Sequence, residues 1–131
     1  MVVELMSDIL KITDEEIRNV LKKTSRQYFV GNLKNPQTIE AILDERLEIG
    51  ISYYQVDQIE PAHVHSVATE YQYVISGKTE YVELETGQKS FFNEGDFYAI
   101  FPNTTYLQYV HPGTKILFIK TPSINDKKLV D

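Results

Sequence analysis

The chain has 131 residues, 42% of them hydrophobic and 24% charged, which fits one soluble globular domain with its own core. A net charge of −6 argues against nucleic acid or an anionic membrane as the main partner, since both select a basic surface. The lack of cysteine excludes disulfides, zinc–thiolate sites and thiol nucleophiles, so any metal must be held by nitrogen and oxygen.

The N-terminal stretch "MVVELMSDILKITDEE" has no basic region and carries Glu4 and Asp8 among its apolar residues, which argues against a signal peptide. No run approaches the roughly 18 apolar residues of a membrane span. The expected compartment is the cytoplasm.

One helix is legible, over about 14–23. Thr13 and Glu16 form a T-x-x-E capping box, with Ile12 and Ile17 placed as a hydrophobic staple across it. Ile17, Val20 and Leu21 follow at helical spacing, and Lys22 and Lys23 suit the negative C-terminal end. From about Gln27 the period changes to two. "LEIGISYY" puts Leu47, Ile49, Ile51 and Tyr53 on one face and Glu48, Gly50 and Ser52 on the other. "YQYVIS", "TEYVEL", "FYAIF", "YLQYV" and "KILFIK" are further β-rich runs, separated by glycine-bearing turns. Short strands at this spacing predict an all-β sandwich or barrel in a single domain spanning 1–131. The tail "TPSINDKKLVD", 121–131, reads as a polar arm or an added strand.

The chemistry concentrates in "EPAHVHSVATEYQYVISG", residues 60–77. On a strand His63 and His65 project from one face, and the loop "SVAT" returns the chain to present Glu70 on the next strand. Pro61 fixes φ and removes a donor, as at a strand entrance. Two imidazoles and a carboxylate make a facial set with open positions, suited to one divalent Fe, Mn, Ni, Co or Zn ion. No G-x-S-x-G, P-loop or dinucleotide fingerprint competes with it.

The pattern H-x-H-x4-E-x6-G, here His63, His65, Glu70 and Gly77, resembles the first motif of the cupin superfamily. "GDFYAIFPNTTYLQYV", from Gly95, resembles the second, with Pro102 at its bend and Asn103 where glycine is usual. Together they cover about 36–120. The resemblance implies an antiparallel jelly-roll barrel whose interior holds a metal on His63, His65 and Glu70.

Tyr106 stands where the second motif usually has a histidine. It is read three ways: a phenolate ligand to an oxidised metal, a neutral donor to a metal-bound water or substrate, or a sign that the metal is weak or absent. Counting by two from Glu70 and Tyr106 places Gln72, Val74, Gln108 and Val110 inside. Buried glutamines need partners, so Gln72 and Gln108 either satisfy other buried groups or orient a polar ligand alongside Tyr106. His111 falls in a Pro-Gly turn on the opposite parity and reads as solvated. Tyr71, Tyr73 and Tyr109 face outward.

Two functions follow. One is a metal-dependent enzyme on a small polar molecule such as a sugar or carboxylate, since cupins similar to this chain include oxygenases, isomerases or epimerases, and decarboxylases. The other is a non-catalytic small-molecule-binding or sensory cupin with a structural or absent metal. A homodimer is expected in either case. The open jelly roll leaves strand edges, the segment before Pro36 is not assigned to the barrel, and relatives commonly pair through such segments.

Overall fold

A computed structural model describes residues 9–130. Glu4 and Asp8, used above against a signal peptide, lie outside the described residues. The only helix among those residues is α1 (Asp14–Leu21), and no described helix is long and apolar enough to cross a membrane. Its N-terminus is set as its sequence predicts. Thr13 Oγ1 accepts from the Glu16 N–H at 3.2 Å, and the Glu16 carboxylate accepts from the Thr13 N–H at 3.3 Å. A cap of this kind stabilises a helix by about 1 kcal/mol. Val20 and Leu21 are buried, and α1 packs on the first strand.

The strands are β1 (Arg26–Gly31), β2 (Ile42–Leu43), β3 (Glu48–Tyr54), β4 (Gln58–His65), β5 (Thr69–Ser76) and β6 (Lys78–Glu83). They continue with β7 (Lys89–Asn93), β8 (Phe97–Ile100), β9 (Tyr106–Val110), β10 (Thr114–Thr121) and β11 (Lys127–Leu129). One sheet has the order β2-β1-β3-β10-β5-β8 and the other β11-β4-β9-β6-β7. Every pairing is antiparallel except the short β1–β2 contact. The result is the jelly roll anticipated from the motifs.

The segment before Pro36 is not a free arm, because Arg26–Gly31 pairs with β3 inside the six-stranded sheet. At the other end the polar tail returns as β11, with Lys127 opposite His65 and Leu129 opposite His63. The apolar face of β3 is not the one that points into the barrel. Glu48, Ser52 and Tyr54 line the interior cavity, and the buried Ile51 lies on the opposite face. Polar side chains tolerate that interior because it is a chamber and not a packed core.

Apolar packing is concentrated beside the chamber. Val74, Tyr81, Tyr98 and Tyr106 form a buried cluster, flanked by Phe92 and Ile100. Gly77 makes the tight turn between β5 and β6 at φ 81°, and a Cβ there would lie 2.5 Å from Thr114 Cα. Only glycine meets both demands. Asn103 also adopts positive φ, 66°, as its place in the second motif predicts, and its N–H bonds to the His65 carbonyl at 2.8 Å.

Pro61 does not mark a strand entrance. It lies inside β4, at an irregularity where the register passes from Glu60↔Gln108 to His63↔Tyr106. Three steps along β4 oppose two along β9, so one extra residue is absorbed as a bulge. A proline fits there because a bulged position need not donate to the ladder.

Candidate functional site

After the bulge, β4 turns both imidazoles inward. The His63 Nδ1 lies 2.8 Å from the Pro61 carbonyl, which can only accept, so this nitrogen carries the proton. The bare Nε2 faces the Tyr106 hydroxyl at 2.9 Å, and the phenol donates to it. Burial lowers the His63 pKa, in keeping with a neutral ring that uses one nitrogen as donor and the other as acceptor.

His65 is held differently. Its Nε2 meets Glu70 Oε1 at 3.0 Å and its Nδ1 meets Asp126 Oδ1 at 2.7 Å. Burial works against a charge on this ring, but the hydrogen bonds to Glu70 and Asp126 outweigh it and raise the pKa. Two carboxylates on one imidazole favour the imidazolium. Glu70 is correspondingly lowered: burial opposes ionisation, and the bond to His65 and the nearby positive charges more than offset it.

Asp126 has no counterpart in the sequence reading. It precedes β11, and its second oxygen accepts from the N–H groups of Val67 and Ala68 at 2.9 and 2.8 Å. Burial alone would raise its pKa, yet these two donors and His65 bring it down to about 2. One carboxylate thus fixes a histidine and the loop that follows it. The only sequence signal was an aspartate in a polar tail, and no local pattern ties it to residue 65.

The structure brings the other predicted side chains together as follows. Tyr106 is 4% exposed and directed inward, between His63 Nε2 and Glu70 Oε2, the latter at 3.5 Å. Burial, followed by the Glu70 charge, pushes its phenol far above the ordinary value. Gln72 donates to Glu70 Oε2 at 3.0 Å, and its carbonyl accepts from Tyr98 at 2.5 Å and Tyr81 at 3.2 Å. Gln108 donates to Thr79 Oγ1 at 3.0 Å. Each glutamine therefore has protein partners, and they do not bond to one another. Both still line the cavity. His111 is exposed in its turn, away from this set.

The chamber has a volume of about 190 Å³, and Glu60, Tyr54, Arg26 and Lys120 continue its wall outward from the histidines. By chemistry the donors suit a borderline divalent ion: two inward Nε2 atoms and a carboxylate. By spacing they are divided into a His65–Glu70 pair and a His63–Tyr106 pair. Among the described residues no group of three or more His, Asp or Glu side chains is spaced to hold a metal ion.

Two sheets in this order around a polar chamber define the cupin, or double-stranded β-helix, fold. No protein-family model and no curated protein matches the chain. Solved structures do match. A double-stranded β-helix protein from Klebsiella pneumoniae is 16% identical with a TM-score of 0.62, covering 95% of this chain and 98% of that one. An RmlC-like cupin from Desulfovibrio desulfuricans is 14% identical with a TM-score of 0.55, covering 95% and 99%. A variant of Streptomyces Pac13 with uridine is 15% identical with a TM-score of 0.63, covering 95% and 92%; Pac13 is described as a nucleoside dehydratase. The chain has the cupin fold, which it shares with enzymes, and at these identities the likeness is one of fold.

Proposed function

We propose that the chamber is the active site of a small-molecule enzyme acting on a polar substrate, with His63, His65 and Glu70 as ligands for one divalent transition-metal ion. The observation that carries this reading is the state of the outer imidazole nitrogens. His63 Nδ1 is held by a backbone carbonyl and His65 Nδ1 by a carboxylate, leaving both Nε2 atoms directed inward. Metal-ligating histidines are almost always oriented by such a second contact. Gln72 gives Glu70 equivalent support.

A bound ion would supply Lewis acidity toward a carbonyl or a water. The protein's own groups do the rest. Asp126 and Pro61 keep the rings in place, Gln72 steadies the carboxylate, and Tyr106 offers a neutral hydroxyl to substrate. Uptake of the ion requires His65 to release the proton it shares with Glu70, and the Tyr106 hydroxyl to leave His63 Nε2.

The test is elemental analysis of protein purified without added metal or chelator. About one equivalent per chain is expected, and a His63→Ala/His65→Ala variant should lose it while staying folded. Equal metal content in both proteins overturns the ligand assignment.

A second reading is favoured by the His63–Tyr106 pair. A neutral imidazole with a bare nitrogen, facing the chamber beside a hydroxyl that can donate a hydrogen bond, can act as a general base without a metal. Metal-free wild-type protein that turns over its substrate at full rate in chelator would select this reading.

A further inference from the structure

On the chamber wall, Arg26 is a guanidinium with no carboxylate partner among the described residues. Arg26 lies on β1 directly across from Ser52, on the face that lines the cavity. Its Nε donates to Ser52 Oγ at 3.0 Å, and its Nη1 lies 3.5 Å from the Tyr28 hydroxyl. The guanidinium carbon sits 5.1 Å from the centre of the Phe118 ring, within cation–π range. The Phe118 ring is also edge-on to Tyr28 at 5.4 Å.

All of these partners are neutral. Among the described residues no Asp or Glu forms an ion pair with Arg26, whereas Lys120 is paired with Glu48 at 3.7 Å. The recess is also shaped for the ring beneath it. Gly50 lies under Phe118, where a Cβ would meet that ring and come within 2.7 Å of the Gln27 carbonyl. Glycine here lets Phe118 lie close against β3 and support the guanidinium from below.

A guanidinium has five N–H donors in a planar fork that matches the two oxygens of a carboxylate or phosphate. Serine, the phenols of Tyr28 and Tyr54 and a ring face, all uncharged, leave part of that fork available. We infer that Arg26 is the anchor for an oxyanion group of the substrate, so that the chamber takes an anionic small molecule bearing a carboxylate or phosphate. The rest of that molecule extends along Tyr54 and Glu60 toward His63 and Tyr106. This rests on the chamber being a substrate site, but not on its holding a metal.

The test uses the full chain labelled with ¹⁵N, titrated in turn with malonate, inorganic phosphate and neutral glucose. The Arg26 Nε–H resonance should shift with one or both oxyanions and not with glucose; which oxyanion binds tighter tells carboxylate from phosphate. Arg26→Gln should weaken that binding by about tenfold or more. Arg26→Lys should fall between the two, because it keeps the charge and loses the fork. An Arg26 signal indifferent to both anions, or undiminished binding in Arg26→Gln, overturns the inference. Wild-type protein stripped with chelator should bind the anion as before, so the failure of the metal assignment and of the anion site are read separately.

Discussion

Asp126 touches His65 across 61 residues of chain, Oδ1 to Nδ1 at 2.7 Å, and the same carboxylate caps the two N–H groups of the loop leading to Glu70. The tail that closes the five-stranded sheet therefore also sets one ring of the site and the turn between two of its three proposed ligands.

Asp126→Ala should leave three donors without their acceptor, two of them, His65 Nδ1 and the Ala68 N–H, part-buried. The expected loss is about 1–3 kcal/mol of stability, seen as a lower midpoint in urea unfolding. If His65 ligates a metal, affinity should also fall by about 10–100-fold, the usual effect of removing a second contact. Unchanged stability would show that the tail is not seated as described.

Tyr106→Phe keeps the ring in the aromatic cluster and removes the hydroxyl from His63 Nε2. Metal content should be nearly unchanged, while affinity for the native small ligand falls by about 0.5–1.5 kcal/mol, measured by calorimetry. Tyr106→His should instead tighten divalent metal binding. Failure of that substitution to alter metal affinity would count against residue 106 as a neighbour of the ion. If the phenolate were the ligand, the ferric protein would show a visible charge-transfer band that Tyr106→Phe abolishes.

Gly77→Ala faces both a positive φ and the Thr114 backbone. A destabilisation of about 3 kcal/mol is expected from left-handed strain together with overpacking. Thermal unfolding of the variant measures it, and a loss under about 1 kcal/mol would mean the turn can rearrange.

Self-association is proposed through the ends of both sheets. β7 and β8 are edge strands, and Phe91, Phe97 and Phe101 there are 64%, 64% and 65% exposed. Phe97 already stacks on the outward Tyr71 at 6.3 Å. Such edges invite pairing. Sedimentation equilibrium should show a dimer that Phe97→Asp weakens; a wild-type monomer at tens of micromolar removes the idea.

What the sequence made legible was local. The Thr13–Glu16 box located the helix, and strand parity put Gln72 and Val74 inside with Glu70, and Gln108 and Val110 inside with Tyr106. These follow from a period of two along unbroken strands. The pairing of Asp126 with His65 did not, because β11 reaches β4 only through the sheet order. Arg26 was missed for a similar reason: its role is set by Ser52, Phe118 and Gly50 on two other strands. Alternation gave the two rows of β3 but not which of them lines the chamber, since the chamber takes the polar row and the packed cluster lies elsewhere.

The bulge at Pro61 gives β4 two phases. Glu60 reaches the chamber in one and His63 with His65 in the other, although 60 and 63 are an odd number of positions apart. A straight strand with the same residues could present either the carboxylate or the imidazoles, not both; with Pro61 or Ala62 deleted, Glu60 and His63 would stand two positions apart and share a face without a bulge. With the residues it has, β4 owes the combination of groups inside the barrel to the bulge that absorbs one extra residue. Substitution scanning cannot test whether the bulge is needed, because every variant it makes preserves the count of residues between Glu60 and His63; a one-codon deletion tests it, by offering the same inward groups on a regular strand.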